Sequence, residues 1–146
     1  MKVIKPSFQI ITPIDSDQIL KTIETVGRTC YKSEDKITDD SCKSFVSGII
    51  KRGHEAVIEH YNITVRLIND RGVSHEEVRH RIASYAQEST RYCNYSKDKF
   101  GKEITYIDLK GGIELDPKMK NLDAETVASI YNEWLMACSD AERHYN

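Results

Sequence analysis

Apolar and polar positions recur with two different periods along the chain, and the changes of period mark out the elements. Val3 to Ile14 is rich in β-formers, with Phe8, Ile10 and Ile11 near its centre, and predicts a strand or a pair of short strands. From Asp15 to about Tyr31, Ile19, Leu20, Ile23 and Val26 follow helical spacing, and Asp15 with Gln18 reads as a capping box. A second helix is predicted after Thr38, its expected N-cap. Asp39 and Asp40 then fall in the first turn, where the helix dipole favours carboxylates. Its apolar stripe is Cys42, Phe45, Val46, Ile49 and Ile50, and Gly53 is the expected stop.

HEAVIEH, residues 54 to 60, bridges to a strand at about 62 to 68, where Ile63, Val65 and Leu67 alternate with Thr64 and Arg66. Asn69 to Gly72 break that strand. Ser74 and Glu77 form another capping box, so a short helix is predicted to start there and to carry Val78 and Arg79 to Ile82. Residues 94 to 103 read as a polar loop, 104 to 108 as a strand, and KGGIELDPKMKN as loop again. Asp123 is expected to cap a long amphipathic helix with Val127, Ile130, Tyr131, Trp134, Leu135 and Cys138 on one face. Neither an internal repeat nor a linker interrupts the pattern, and one domain is expected over residues 1–146.

Composition narrows the class. A chain of 146 residues, 39% hydrophobic and 30% charged, is long enough for one sizeable core and normal for a soluble protein. The net charge of -2 counts against a general nucleic-acid binder. Lys5, Pro6 and Pro13 interrupt the N-terminal apolar runs, which are too short for a signal peptide or a membrane span. A cytoplasmic location without membrane contact is therefore expected. Cys30, Cys42, Cys93 and Cys138 form no C-x-x-C pair, which leaves zinc-ribbon and thioredoxin readings little support. An even count is compatible with disulfides, but the size and high charge fit a reducing compartment, so free thiols are expected.

One stretch departs from the acidic balance: RHRIASYAQESTRY, residues 79 to 92. Arg79 and Arg81 are separated by His80, and neither guanidinium deprotonates to relieve repulsion. An anion between them would make the pairing easier to tolerate; a solvated basic turn is the plainer reading of R-H-R taken alone. Ser84, Ser89, Thr90 and Arg91 add hydroxyls and a third guanidinium, groups that suit phosphate oxygens. Gln87 and Glu88 offer polar edges to a base or ring. Tyr85 and Tyr92 fit either a stacked planar ligand or a core edge. His54 and His60 do not make a zinc motif, because Ile58 and Ala56 stand where second histidines would be needed. No metal is expected.

RHRIASYAQESTRY resembles the signature of the flavin-dependent thymidylate synthases, R-H-R-x-x-S-x-x-x-x-S-x-R, at Arg79, His80, Arg81, Ser84, Ser89 and Arg91. GHEAVIEH upstream is similar to the family's G-H-E-x-x-x-E-H segment, and the two lie at the expected distance. The resemblance covers most of the chain and is weakest after about residue 110. It implies an α/β (α+β) fold with a mainly antiparallel central sheet flanked by helices. The implied chemistry is conversion of dUMP to dTMP, with methylenetetrahydrofolate as carbon donor and FAD, reduced by NADPH, supplying the hydride. It also implies a homotetramer with sites shared between subunits.

By the same resemblance, His54, Ala56, Arg79, His80, Arg81 and Gln87 face FAD. Glu76, Arg79, Gln87, Glu88, Ser89, Thr90 and Arg91 meet dUMP, with Ser89 to Arg91 as a phosphate cradle. Catalytic roles are assigned to no residue: Cys93 is not expected to be a nucleophile, and Ser89 has no identified base. Ala56 and Ala86 stand where many members have a hydroxyl residue and an asparagine, and Gln87 where many have glutamate. Relatives of this type continue beyond the long helix into a segment with further arginines and an asparagine, so an incomplete form is expected. Two other readings remain: a nucleotide- or flavin-binding module without catalysis, and a single-stranded nucleic-acid binder using Arg91, Tyr92, Tyr95 and Lys97. The acidic balance disfavours the second.

Overall fold

The structure, a computed structural model, describes residues 1–145. It mixes helix and strand, as expected, with helix predominating. The chain divides into two compact units, Phe8–Arg66 and Met1–Ser7 with Leu67–Asn146.

In the first unit, helix α1 (Ser16–Tyr31) begins where the sequence places it. Asp15 Oδ1 accepts from the amides of Asp17 and Gln18, so one carboxylate satisfies two of the orphan N–H groups of the first turn. The reciprocal half of the capping box is replaced, because the Gln18 amide donates to Thr22 Oγ1. Helix α2 (Ser41–Lys51) starts later than the expected Thr38 cap. Ser41 accounts for the difference: its hydroxyl accepts from the Thr38 amide at 2.9 Å and donates to Glu24 Oε2 at 2.8 Å. Gly53 ends the helix with φ +70°, a conformation that favours glycine. Cys42, Val46 and Ile49 of the predicted stripe are buried, whereas Ile50 is exposed.

Ile23, Val46, Ile49 and Val57 form the core of this unit, with Ile19, Leu20, Val26, Phe45, Ile58 and Tyr61 packed against them. Val57 arrives on a 3-10 turn over Glu55–His60. Close approach at Gly27 lets α1 and α2 meet this turn. A Cβ there would lie 2.5 Å from Phe45 Cε1, 2.8 Å from its Cζ and 3.1 Å from Val57 Cγ1. The Arg28 guanidinium lies over the same ring, 4.4 Å from its centroid. Gly27→Ala is therefore expected to lower stability by about 1–3 kcal/mol through overpacking, outweighing the roughly 1 kcal/mol that alanine contributes in a helix interior. A lower urea midpoint with an unchanged slope would show this; a raised midpoint would refute it.

In the second unit, strand β1 (Lys2–Ile4) pairs in parallel with β4 (Thr105–Ile107), Val3 opposite Tyr106. Strands β2 (Ser7–Ile10) and β3 (Val65–Ile68), of which Phe8–Ile10 and Val65–Arg66 belong to the first unit, form a separate pair. Thus the strands of the described residues lie in two two-stranded sheets. Helix α5 (Ala124–Tyr145) follows Asp123, whose carboxylate accepts from the Thr126 amide and hydroxyl at 2.8 Å each. Its predicted face is the covered one, with Cys138 buried. The Tyr106 hydroxyl donates to the Cys138 carbonyl at 3.0 Å, and burial pushes both the Tyr106 hydroxyl and the Cys138 thiol up, so both stay protonated at neutral pH. The stretch KGGIELDPKMKN, read as loop, holds a short helix α4 (Lys110–Leu115). Its Ile113 is buried, and tertiary burial overrides the poor helix propensity of Gly111 and Gly112.

All four cysteines are free. Among the described residues, no helix is long and apolar enough to cross a membrane.

Candidate active site

Residues 71 to 93 are built from a short helix that runs out into an irregular segment. Helix α3 (Arg71–Glu77) starts three residues before the predicted Ser74 cap region. Asp70 Oδ1 accepts from the Val73 amide at 3.0 Å, which takes the capping role from Ser74; the Ser74 hydroxyl donates instead to the Arg71 carbonyl. Gly72, read as a breaker, lies inside the helix. Its end also moves. Arg79 and His80 donate their amides to the Glu76 and Glu77 carbonyls, three residues back, so the last turn tightens and stops. Ile82, at φ +61°, then turns the chain out of helical geometry, and Arg79 to Ile82 are not helical as expected.

This end-point decides how the basic groups are displayed. Arg79, His80 and Arg81 are all exposed. The Arg79 guanidinium meets Glu76 at 3.1 Å, with both side chains largely in water; such a pair is weakly held and free to exchange for another partner. Tyr85 donates its hydroxyl to the His80 carbonyl at 3.3 Å, tying the segment back on itself. Farther on, the Ser89 carbonyl accepts from the amides of Tyr92 and Cys93, and the Ser89 hydroxyl from the Arg91 amide at 3.3 Å. Ser89 is thus the anchor of a turn that holds Thr90 and Arg91 beside it. Gln87, Glu88, Thr90 and Arg91 are exposed. Arg81 and Arg91 have no carboxylate partner among the described residues.

His54 and Ala56 belong to the other unit. His54 precedes the 3-10 turn and is exposed. Its Nδ1 lies 2.6 Å from the Tyr31 hydroxyl, and the two rings are nearly coplanar, end to end, with centroids 6.4 Å apart. Sequence spacing gives no hint of this contact, which joins residues 23 apart; Tyr31 reads only as the end of α1. The carbonyl of Ala56 accepts from His60 Nδ1 at 3.2 Å, so that part of its backbone is already engaged. The structure therefore brings together Glu76 with Arg79, and Ser89 with Thr90 and Arg91. It places His54 and Ala56 on one turn.

Chemically, the 79–91 segment is an anion-receptive strip: the Arg81 and Arg91 guanidiniums, hydroxyls and turn amides, with no aligned general base beside the Ser89 hydroxyl among the described residues. Guanidinium forks and hydroxyls of this kind bind phosphate oxygens.

Residues 14–146 match the family described as thymidylate synthase complementing protein. Relatives named flavin-dependent thymidylate synthase include that of Pyrococcus abyssi, 36% identical over 80% of this chain and 50% of its own length. That of Geobacter sulfurreducens is 29% identical over 83% of this chain and 50% of its own. That of Clostridium tetani is 32% identical over 86% and 50%. The chain thus spans about half the length of the curated relatives it matches. No solved structure matches it significantly. With the match running through both the 54–60 turn and the 79–91 strip, the chain belongs to the thymidylate synthase complementing protein family.

Proposed function

We propose that the chain serves flavin-dependent thymidylate synthesis, the conversion of dUMP to dTMP with methylenetetrahydrofolate as carbon donor and NADPH as reductant. The observation that carries this reading is the exposed, carboxylate-free pair Arg81 and Arg91 on the signature segment of a chain matched by the family across residues 14–146. Bound FAD would supply the hydride that takes the transferred carbon from the methylene to the methyl level. The chain's own residues bind and orient. The donor set fits a flavin dinucleotide: Arg79, His80 and Arg81 offer cationic donors for its phosphates, and His54, Ala56 and Gln87 offer polar groups for its ring. Glu76, Arg79, Gln87, Glu88, Ser89, Thr90 and Arg91 take dUMP, its phosphate at the Ser89–Arg91 turn.

Exposure of the whole strip supports a site completed by other subunits, as in a homotetramer. So do the uncovered apolar side chains of Phe8, Ile10, Ile63 and Val65 on and beside strands β2 and β3. The single domain over 1–146 is part of the proposal, supported by a family match that crosses both units. So is the mainly antiparallel central sheet, for which the support is the Ile11 amide on the Thr64 carbonyl, which joins the end of β2 to the start of β3. A cytoplasmic location is supported by the free cysteines.

The protein purified with added FAD is expected to retain a yellow flavin and, given dUMP, methylenetetrahydrofolate and NADPH, to form dTMP. Failure to take up FAD would defeat the proposal. Uptake of FAD and dUMP without turnover would establish the alternative, a nucleotide- and flavin-binding module. Salt-sensitive binding of oligonucleotides with no preference for dUMP would establish a single-stranded nucleic-acid binder.

A further inference from the structure

Two helix ends hold Tyr31 and His54 in place. Tyr31 is the last residue of α1, followed by Lys32 in the left-handed conformation at φ 46°; the Ser33 amide closes the end on the Arg28 carbonyl at 3.2 Å. His54 follows the left-handed Gly53, and its amide donates to the Ile49 carbonyl at the end of α2 at 3.2 Å. The two helices share the core of Ile23, Val46, Ile49 and Val57. The approach of the Tyr31 hydroxyl to His54 Nδ1 at 2.6 Å is therefore set by a packed scaffold rather than by two free side chains.

That approach needs one proton between oxygen and nitrogen. A phenol is a better donor than acceptor, because its oxygen lone pair is delocalised into the ring, and an unprotonated imidazole nitrogen is the stronger acceptor of the two. The Tyr31 O–H thus donates to Nδ1, and the neutral ring carries its proton on Nε2. No partner for Nε2 is found among the described residues, and the ring is exposed.

We infer that Tyr31 is a positioning residue that fixes His54 as its Nε2–H tautomer, so that His54 presents an N–H donor and selects an acceptor atom, a carbonyl oxygen or an unprotonated ring nitrogen, on the flavin. The tautomer follows from the 2.6 Å contact and the donor strengths of phenol and imidazole; the identity of the acceptor rests on the proposed flavin function. The two rings lie end to end and nearly coplanar, 23° apart in plane with centroids 6.4 Å apart, so the O–H meets Nδ1 along its in-plane lone pair. Gly53 and the α2 end put the donor on a rigid element, as a binding group requires.

Nitrogen-15 NMR of the ring in the wild-type protein is expected to show Nδ1 in the unprotonated range and Nε2 in the protonated range at a pH where the ring is neutral. The reverse assignment overturns the inference. Tyr31→Phe keeps the ring at the end of α1 and removes only the hydroxyl. It is expected to weaken FAD about fivefold, the size of one net hydrogen bond, with the far-ultraviolet circular dichroism unchanged. In the His54→Ala background Tyr31→Phe should then have no further effect, since both changes remove one coupled unit. Independent, additive losses would overturn the positioning role. If the wild-type protein takes up no FAD, the proposed function falls, while the NMR assignment still decides the role of Tyr31.

Discussion

Glu24→Ala is expected to cost the Phe8–Arg66 unit about 3–5 kcal/mol, the range for removing one partner of a buried ion pair. Glu24 is only 1% exposed, and both of its oxygens are used. Oε1 accepts from Arg28 Nε at 3.1 Å and Nη2 at 2.8 Å, and Oε2 accepts from the Ser41 hydroxyl. The forked contact with Arg28 runs along α1 at i, i+4, while the Ser41 contact ties α1 to the first residue of α2. Alanine would leave the Arg28 guanidinium, itself 14% exposed, without its counter-charge, and would open a void beneath the start of α2. Glu24→Gln is expected to lose less. It keeps the shape and one acceptor oxygen for Arg28, and the Ser41 hydroxyl can turn its proton to the Thr38 carbonyl, already 3.1 Å away, and accept from the new amide. Equilibrium urea unfolding measures both. An alanine variant within 1 kcal/mol of the parent would show that the network is solvated rather than structural.

Glu24 also marks the boundary of what the sequence discloses. Elements whose signals are local read correctly: Asp15 and Asp123 cap their helices through their own next turn, and the 3.6-residue stripes of α1 and α5 are the covered faces. Errors fall where a residue serves a distant partner or where two local signals compete. Ser41 is drawn into the Glu24 network, and the start of α2 moves with it past Thr38. Asp70 competes with Ser74 for the cap of α3 and wins, because its extended backbone, φ -77° and ψ 166°, aims Oδ1 at the Val73 amide. Residues 110–115 become helical because Ile113 is buried, which propensity alone does not foretell.

At the candidate site the sequence nominates residues through two motifs at a fixed separation, but it does not disclose how they are displayed. Nothing in the letters R-H-R tells that α3 stops before Arg79, or that Arg79 rests on Glu76. The Tyr31–His54 contact was invisible for the same reason as the Glu24–Ser41 contact: it depends on how two helices pack.

Arg91→Ala is expected to weaken dUMP binding roughly 10- to 100-fold, the worth of a charge-assisted hydrogen-bond pair to phosphate, and to leave FAD within about twofold, since one site's loss need not spread to a separate one. The turn should survive the change. It is held by the Ser89 carbonyl, which accepts from the Tyr92 and Cys93 amides, and by the Ser89 hydroxyl, which accepts from the residue 91 amide; none of these uses the guanidinium. Arg91→Lys should fall between, because an ammonium keeps the charge but loses the planar fork. Deoxyuridine separates the phosphate from the base. It should bind the parent more weakly than dUMP and be indifferent to Arg91→Ala, because the lost interaction is with a group it lacks. Calorimetric titration of the four combinations, two proteins by two ligands, gives a coupling energy between Arg91 and the phosphate. A coupling near zero, or equal losses for dUMP and FAD, would place the phosphate elsewhere on the strip, with Arg81 the remaining guanidinium that has no carboxylate partner among the described residues of that segment.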